Sequence, residues 1–169
     1  MYNESLQQMK KHLGQLDKWL SAAEAYADGK KFESKNFLSM RLVVDQFNFA
    51  QQVQTACDTA KLAAARLSGK EAPAHADTEE TMGQLHERVR AVVAYLDGFT
   101  AKDFEGAATR KISQPRWEGQ WMTGEDFFRE HATPNFFFHL TTAYSILRQH
   151  GVPIGKRDFL GPIDRRPAQ

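Results

Sequence analysis

The chain has 169 residues, 41% of them hydrophobic and 25% charged, a balance typical of globular proteins and unlike that of disordered chains. Its length suits a single domain, which we expect to span residues 1–161, followed by a disordered tail at 162–169. The 22 basic and 21 acidic residues leave a formal net charge of +1. The sequence therefore has no basic excess that would predict nucleic-acid binding.

Cysteine content and apolar run length bear on the cellular compartment. The single cysteine, Cys57, has no partner for an internal disulfide, which suits a reducing cytoplasm. Charged residues such as Glu4, Lys10 and Asp17 interrupt the apolar run that a signal peptide needs. The sequence contains no stretch of about twenty apolar residues, which is the length that a transmembrane helix requires. We therefore expect a cytoplasmic protein with no membrane partner.

The first half of the chain predicts two amphipathic helices. Residues 4–27 carry apolar side chains three and four apart, and Gly29 is expected to close this helix. Residues 30–44 form a structured connector with some helical turn. Asp45 is the predicted N-cap of a second helix that runs to Leu67 and ends at Gly69. Its apolar stripe is wide, which predicts packing on two sides.

The second half predicts two more helices with an irregular insertion between them. Asp77 and Glu80 have the spacing of a capping box for a third helix that ends at Gly98. Residues 100–122 contain Pro115 and Gly119 and are predicted to form a small β-hairpin or an irregular insertion. Together these elements indicate an all-α protein built as a four-helix bundle.

The start of the fourth helix has two expected signals. Thr123 and Asp126 are predicted to cap a short helical segment that ends near His131. Thr133 and Pro134 then start the long helix, because proline is tolerated in a first turn, and this helix runs to residue 150.

Two polar residues on this helix are the main functional candidates. Asn135 and His139 are four apart, so they share one helix face in an otherwise aromatic segment. Either both side chains are satisfied by hydrogen bonds within the core, or both line a pocket between helices. In a pocket, His139 is the candidate catalytic acid or base and Asn135 a ligand-binding residue.

The second helix supplies further candidates. Asp45 and Gln52 are seven apart and project from one predicted face, so both are candidate ligand-binding residues. The alternative interpretations are that Asp45 only caps the helix and that Gln52 extends into solvent. Tyr144 on the fourth helix is a further candidate ligand-binding residue of the same pocket. Asp58 and Lys61 are three apart and predict an exposed helical ion pair.

The patterns that would name a reaction class are missing from the sequence. The other histidines have no second ligand at metal spacing, and no local set matches the three-histidine or two-histidine-plus-carboxylate pattern of catalytic zinc. There is no nucleophile elbow, phosphate-binding loop or dinucleotide fingerprint. The residues alone do not decide whether the protein is an enzyme.

Several segments carry a resemblance to a known family. Residues 134–139 (PNFFFH), 143–148 (AYSILR) and 151–161 (GVPIGKRDFLG) are distinctive, and residues 52–54 and 64–69 fit the same pattern. With these segments the chain resembles a bacterial family of unknown function within the DinB/YfiT-like superfamily. The resemblance implies a four-helix bundle, often a homodimer. Many superfamily members hold a divalent metal with three histidines.

The resemblance also implies positions for those three ligands. The two on the fourth helix correspond to Asn135 and His139, and the one on the second helix lies near Gln52. Only His139 is a histidine here, so the usual metal site is expected to be degenerate, because amide oxygens are poor ligands for zinc or nickel. At most, His139 would take part in holding such a metal.

Three functions remain open from the sequence. The first is the binding of a small molecule in a pocket near the start of the fourth helix. The second is a metal-dependent hydrolase or thiol-dependent transferase in which His139 is joined by Asp45 or another carboxylate. The third is a structural or self-associating bundle without catalysis.

Overall fold

The computed structural model describes residues 1–166 and confirms the four-helix bundle. The chain folds into six α-helices, one antiparallel pair of short strands, four 3-10 turns and one π turn over these residues. The long helices are α1 (Tyr2–Lys30), α2 (Phe49–Ser68), α3 (Met82–Asp97) and α5 (Thr133–Gln149), and the short ones are α4 (Gly124–Asp126) and α6 (Lys156–Leu160). The strands are β1 (Lys111–Ile112) and β2 (Met122–Thr123).

Helix α2 lies at the centre of the packing, between α3 and α5, while α1 packs mainly against α3. This confirms the prediction that α2 is buried on two sides. Its alanines allow the close approach, since Ala56, Ala60, Ala63 and Ala64 are fully buried. The buried apolar residues of all four long helices join in one core cluster.

The helix ends differ from the sequence-based expectation at three places. Helix α1 continues past Gly29 and ends where Lys31 adopts a left-handed conformation with φ 62°. The N-cap of α2 is Asn48 and not Asp45, and the N-cap of α3 is Thr81 and not Asp77.

Both observed caps are reciprocal boxes. Asn48 accepts from the backbone of Gln51, whose side chain accepts in return from the backbone of Asn48, at 2.9 and 3.1 Å. Thr81 and Gln84 form the same reciprocal pair. Such a box satisfies two backbone N–H groups at once, which the lone carboxylate of Asp45 does not. Asp77 has the box spacing but adopts φ 55° and pairs with Arg88 at 2.6 Å instead of capping α3.

The segment before the last long helix contains the predicted hairpin and an unexpected continuity. Strands β1 and β2 pair antiparallel, and Thr123 caps α4 by accepting from the backbone of Asp126. Helix α4, the π turn Phe127–Ala132 and α5 then run on as one helix from residue 124 to 149. Thr133 and Pro134 therefore do not start a separate helix, because the wider π turn accommodates the proline ring, which clashes with the preceding turn of a regular α-helix.

The C-terminal segment covers the other side of the bundle. Val152 and Ile154 are buried, and Phe159 in α6 stacks on Trp19 of α1. Residues 162–166 form no regular element, and the rest of the predicted tail, 167–169, lies outside the described residues. None of the helices described between residues 1 and 166 has the length and hydrophobicity needed to cross a bilayer.

Candidate functional site

The structure brings His139 of α5 and Gln52 of α2 into direct contact. The Nδ1 atom of His139 lies 2.7 Å from Oε1 of Gln52, and Nε2 of Gln52 donates to the carbonyl of Phe47 at 3.0 Å. Gln52 is fully buried, so it does not extend into solvent, which was one of its two sequence interpretations. His139 is 8% exposed.

These bonds fix the protonation pattern of the His139 ring. The carbonyl of Phe47 only accepts, so the amide nitrogen of Gln52 must face it and the amide oxygen must face His139. Nδ1 of His139 therefore carries the proton, and Nε2 keeps a free lone pair. Burial lowers the pKa of His139, which keeps the ring neutral at pH 7.

Asn135 lies one turn before His139 and is also held by α2. Its Nδ2 donates to Oγ1 of Thr59 at 2.7 Å, which leaves its amide oxygen available as an acceptor. Thr59 in turn donates to the carbonyl of Thr55 at 2.7 Å. The two polar residues singled out on α5 are therefore both fixed by partners on α2.

A cavity of about 370 Å³ lies beside these residues, between α2, α5 and the hairpin segment. Asn135 and His139 line it from α5, and residues spaced along α2, including Thr55, Thr59 and Arg66, line it from that helix. Phe47 lies at the His139 end, with its ring stacked on the imidazole at 6.1 Å between centroids. The site is therefore an open cavity rather than a closed polar core.

The π turn adds a third residue to the α5 row. His131 is four residues before Asn135 and lines the same cavity. His131 lies in the π turn and Asn135 lies in α5, and because the two segments form one continuous helix, residues four apart still project from nearly the same side. The four-residue spacing of His131, Asn135 and His139 is visible in the sequence, but the site role of His131 was missed because it was read as the end of a separate segment.

The hairpin segment supplies a further wall that the sequence did not predict. Gln114 and Arg116, which follow β1, line the same cavity as Arg66. Arg116 donates to Nε2 of His131 at 2.7 Å. No local motif links these residues, since they are brought together only by the packing of the hairpin.

Two predicted site residues lie elsewhere. Asp45 is in an exposed turn before α2 and does not continue the Gln52 face, because the helix begins only at Phe49. Tyr144 packs between Trp19 and Phe159 on another side of the bundle. It follows His139 by five residues, which turns it about 140° away around the helix.

Asp58 and Lys61 form the predicted ion pair at 2.6 Å, but the pair is not exposed as expected. Lys61 is 4% exposed, and Asp58 also contacts the buried guanidinium of Arg88 at 2.9 Å. Asp58 lines the cavity and is paired with both of these cations, of which Arg88 is shared with Asp77 and Glu79.

The donor set fits a zinc or nickel ion poorly. Within residues 1–166 no three His, Cys, Asp or Glu side chains are grouped as metal ligands. Gln52 uses its oxygen to accept from His139, and Asn135 offers only an amide oxygen. One imidazole and one amide are too few for a structural or catalytic site of these metals.

The bundle with its hairpin before the last long helix has the architecture of the DinB/YfiT-like superfamily. Residues 1–160 match the family described as Domain of unknown function (DUF1993), and the chain belongs to that family. The chain is similar to a crystal structure of a DinB family member protein from Shewanella denitrificans, with 47% sequence identity and a TM-score of 0.94. That match covers 99% of this chain and 95% of the other. No curated protein matches the sequence.

Proposed function

We propose that the chain binds a small molecule in the cavity between α2 and α5 and that it does so without a bound metal. The observation that carries this proposal is the orientation of His139, whose Nδ1–H is taken up by Gln52 while Nε2 keeps its lone pair in a residue that lines the cavity. A buried acceptor held in one tautomer is suited to orient a ligand hydroxyl or amine.

The roles of the neighbouring groups follow from their hydrogen bonds. His139 accepts a proton donor of the ligand through Nε2 and is placed to act as a general base. Asn135 presents its amide oxygen, because its nitrogen is held by Thr59. Gln52 positions the imidazole and does not contact the ligand. The cavity of about 370 Å³ falls within the size range of small-molecule sites and excludes a folded partner.

The metal-dependent hydrolase or thiol-dependent transferase is the alternative. It requires a second and third strong ligand beside His139, and the nearest amides are weak donors for zinc or nickel. Metal analysis of untagged protein purified without chelator tests it directly. Stoichiometric zinc or nickel that is lost in His139→Gln would overturn the metal-independent proposal.

Self-association is the third candidate. Val43 and Val44 are 56% and 92% exposed, and Phe138 is 55% exposed beside the ring of His139. Exposed apolar residues of this kind are common on monomers as well as in interfaces. Sedimentation equilibrium measures this property separately from ligand binding.

Ligand-observed NMR with a library of small metabolites and thiols tests the main proposal. The variants are His139→Gln, which removes the Nε2 acceptor, and His150→Gln, a control at the far end of α5 whose Nδ1 contacts the carbonyl of Ile146. We expect hits for the wild type and for His150→Gln that weaken roughly tenfold in His139→Gln, the effect of about one hydrogen bond. The absence of hits, or hits that both variants retain equally, would contradict the proposal.

A further inference from the structure

One end of the cavity carries two arginines that have no acidic partner among residues 1–166. Arg66 lies on α2, and Arg116 lies in the 3-10 turn Pro115–Trp117. Within the part of the chain that the structure describes, neither guanidinium takes part in an ion pair, whereas other arginines do. Arg66 instead lies over the ring of Phe127, with 5.7 Å from its guanidinium carbon to the ring centroid. Two cations therefore face one cavity without compensation.

This arrangement is electrostatically unfavourable in the free protein. Burial, and then the charge of Arg116, lowers the pKa of Arg66. Asp58, the carboxylate that lines the same cavity, is already held by Lys61 at 2.6 Å and by Arg88 at 2.9 Å. Arg88 is itself shared with Asp77 and Glu79, but Asp58 forms no ion pair with Arg66 or Arg116 within residues 1–166 and so does not neutralise either of them directly. An anion placed between them would do so.

Two hydrogen-bond donors at this end also need an acceptor. Arg116 donates to Nε2 of His131, so the neutral His131 ring carries its proton on Nδ1, and this buried atom has no hydrogen-bond partner among residues 1–166. The side-chain nitrogen of Gln114 is likewise buried and unpartnered within the described chain, in a residue that is 8% exposed. Buried donors are almost always paired, so an acceptor brought into this end of the cavity would find two donors to satisfy.

We propose that this end of the cavity holds the anionic head group, a carboxylate or a phosphate, of a small organic ligand. The guanidinium groups of Arg66 and Arg116 bind the head group, and small rotations of Gln114 and His131 bring their free N–H groups to it. The inference rests on the proposed function in one respect, because it assigns the uncharged body of the same ligand to the His139 end.

The length of the cavity limits the size of this ligand. His131 and His139 are eight residues apart on one continuous helix, which corresponds to a rise of about 12 Å. A molecule that contacts both ends therefore has a head group and a short body. Inorganic phosphate alone occupies only the arginine end.

Calorimetric titration with three matched probes tests the inference: phenyl phosphate, phenylacetate and the neutral benzyl alcohol. The variants are Arg66→Gln and Arg116→Gln, with Arg157→Gln as a control that removes one exposed positive charge outside the cavity. We expect at least one anion to bind the wild type and the control equally, and to bind each cavity variant roughly tenfold or more weakly. The anion that binds more tightly identifies the head group as phosphate or carboxylate.

The lysine variants Arg66→Lys and Arg116→Lys separate binding from packing. If the arginines hold an anion, lysine retains part of the affinity because it keeps the charge. Three results would overturn the inference. They are an equal loss of anion affinity in the lysine and glutamine variants, benzyl alcohol that binds the wild type as tightly as the anions do, and a wild type that binds neither anion.

The two proposals fail in different ways in this experiment. Weaker anion binding in the arginine variants with no effect of His139→Gln would support the head-group site and contradict the role of His139. Weaker binding only in His139→Gln would leave the proposed function standing and remove the anionic head group.

Discussion

Replacement of Gln52 by alanine tests the central contact of the site. The side chain is fully buried and joins His139 to the Phe47 carbonyl by bonds of 2.7 and 3.0 Å. Its removal leaves a buried N–H of the imidazole without its partner, which costs about 1–3 kcal/mol. The carbonyl of Phe47 also loses its side-chain donor, but Phe47 is 49% exposed, so water can replace that donor. We expect the free energy of unfolding to fall by about 1–3 kcal/mol.

Urea unfolding followed by circular dichroism measures this loss. Gln149→Ala is the matched control, because Gln149 is exposed at the end of α5, and its replacement should change stability by less than about 0.5 kcal/mol. A double-mutant cycle with His139→Ala then isolates the contact. The double variant should lose less than the sum of the single losses by about 0.5–3 kcal/mol. Additive losses, or a Gln52→Ala protein as stable as the control, would refute the account of the site.

Three further predictions concern a close backbone contact at Gly124, the imidazole of His139 and the thiol of Cys57. An alanine Cβ at Gly124 would lie 1.9 Å from the carbonyl oxygen of Ala107, so Gly124→Ala should lower the free energy of unfolding by about 2 kcal/mol or more. The control Gly14→Ala meets nothing within 4 Å and should raise the free energy of unfolding by about 0.5–1 kcal/mol. Urea midpoints that do not differ between the two variants would contradict this prediction. Burial lowers the pKa of His139 below its ordinary 6.5, so on acidification the unfolded chain binds the proton before the folded chain does. The free energy of unfolding should therefore fall as the pH drops below 6.5, and it should fall less steeply in His139→Gln. An unchanged slope in His139→Gln would contradict this role of His139. Burial raises the pKa of Cys57 to about 12, so a thiol reagent such as DTNB should label it at pH 8 only at the rate of unfolding, and rapid labelling of the native protein would contradict its inertness.

The helices were predictable because each carries a long apolar repeat, and the structure confirms all four. The exact caps were not predicted, although the sequence contains the deciding signal. Asn48 is followed three residues later by Gln51, and Thr81 by Gln84, which is the spacing of a reciprocal capping box. Asp45, an acidic residue upstream of α2, is also a favoured N-cap residue type, so the sequence offers it as an alternative to Asn48. For α2 the second half of the box distinguishes Asn48 from Asp45. For α3 both candidates have the box spacing, and the ion pair of Asp77 with Arg88 removes Asp77 from the helix start.

The polar contacts on α2 and α5 were partly predictable. Helical spacing placed Asn135 and His139 on one face, and the structure joins that face to Gln52 and Thr59. The same arithmetic places Tyr144 on another face, since five residues beyond His139 correspond to about 140° of rotation. Helical periodicity therefore excludes Tyr144 from the face that Asn135 and His139 share.

The charge distribution shows why the arginine end of the cavity escaped the sequence. A net charge of +1 argues against a polyanion as partner, because such partners need an extended basic surface. It carries no information about a small anion, for which two cations suffice if their carboxylate partners lie elsewhere. Arg66 and Arg116 are fifty residues apart and meet only because the hairpin folds back over α2. Local charge imbalance is thus a property of the fold, and a nearly neutral composition is fully compatible with a site that selects anions.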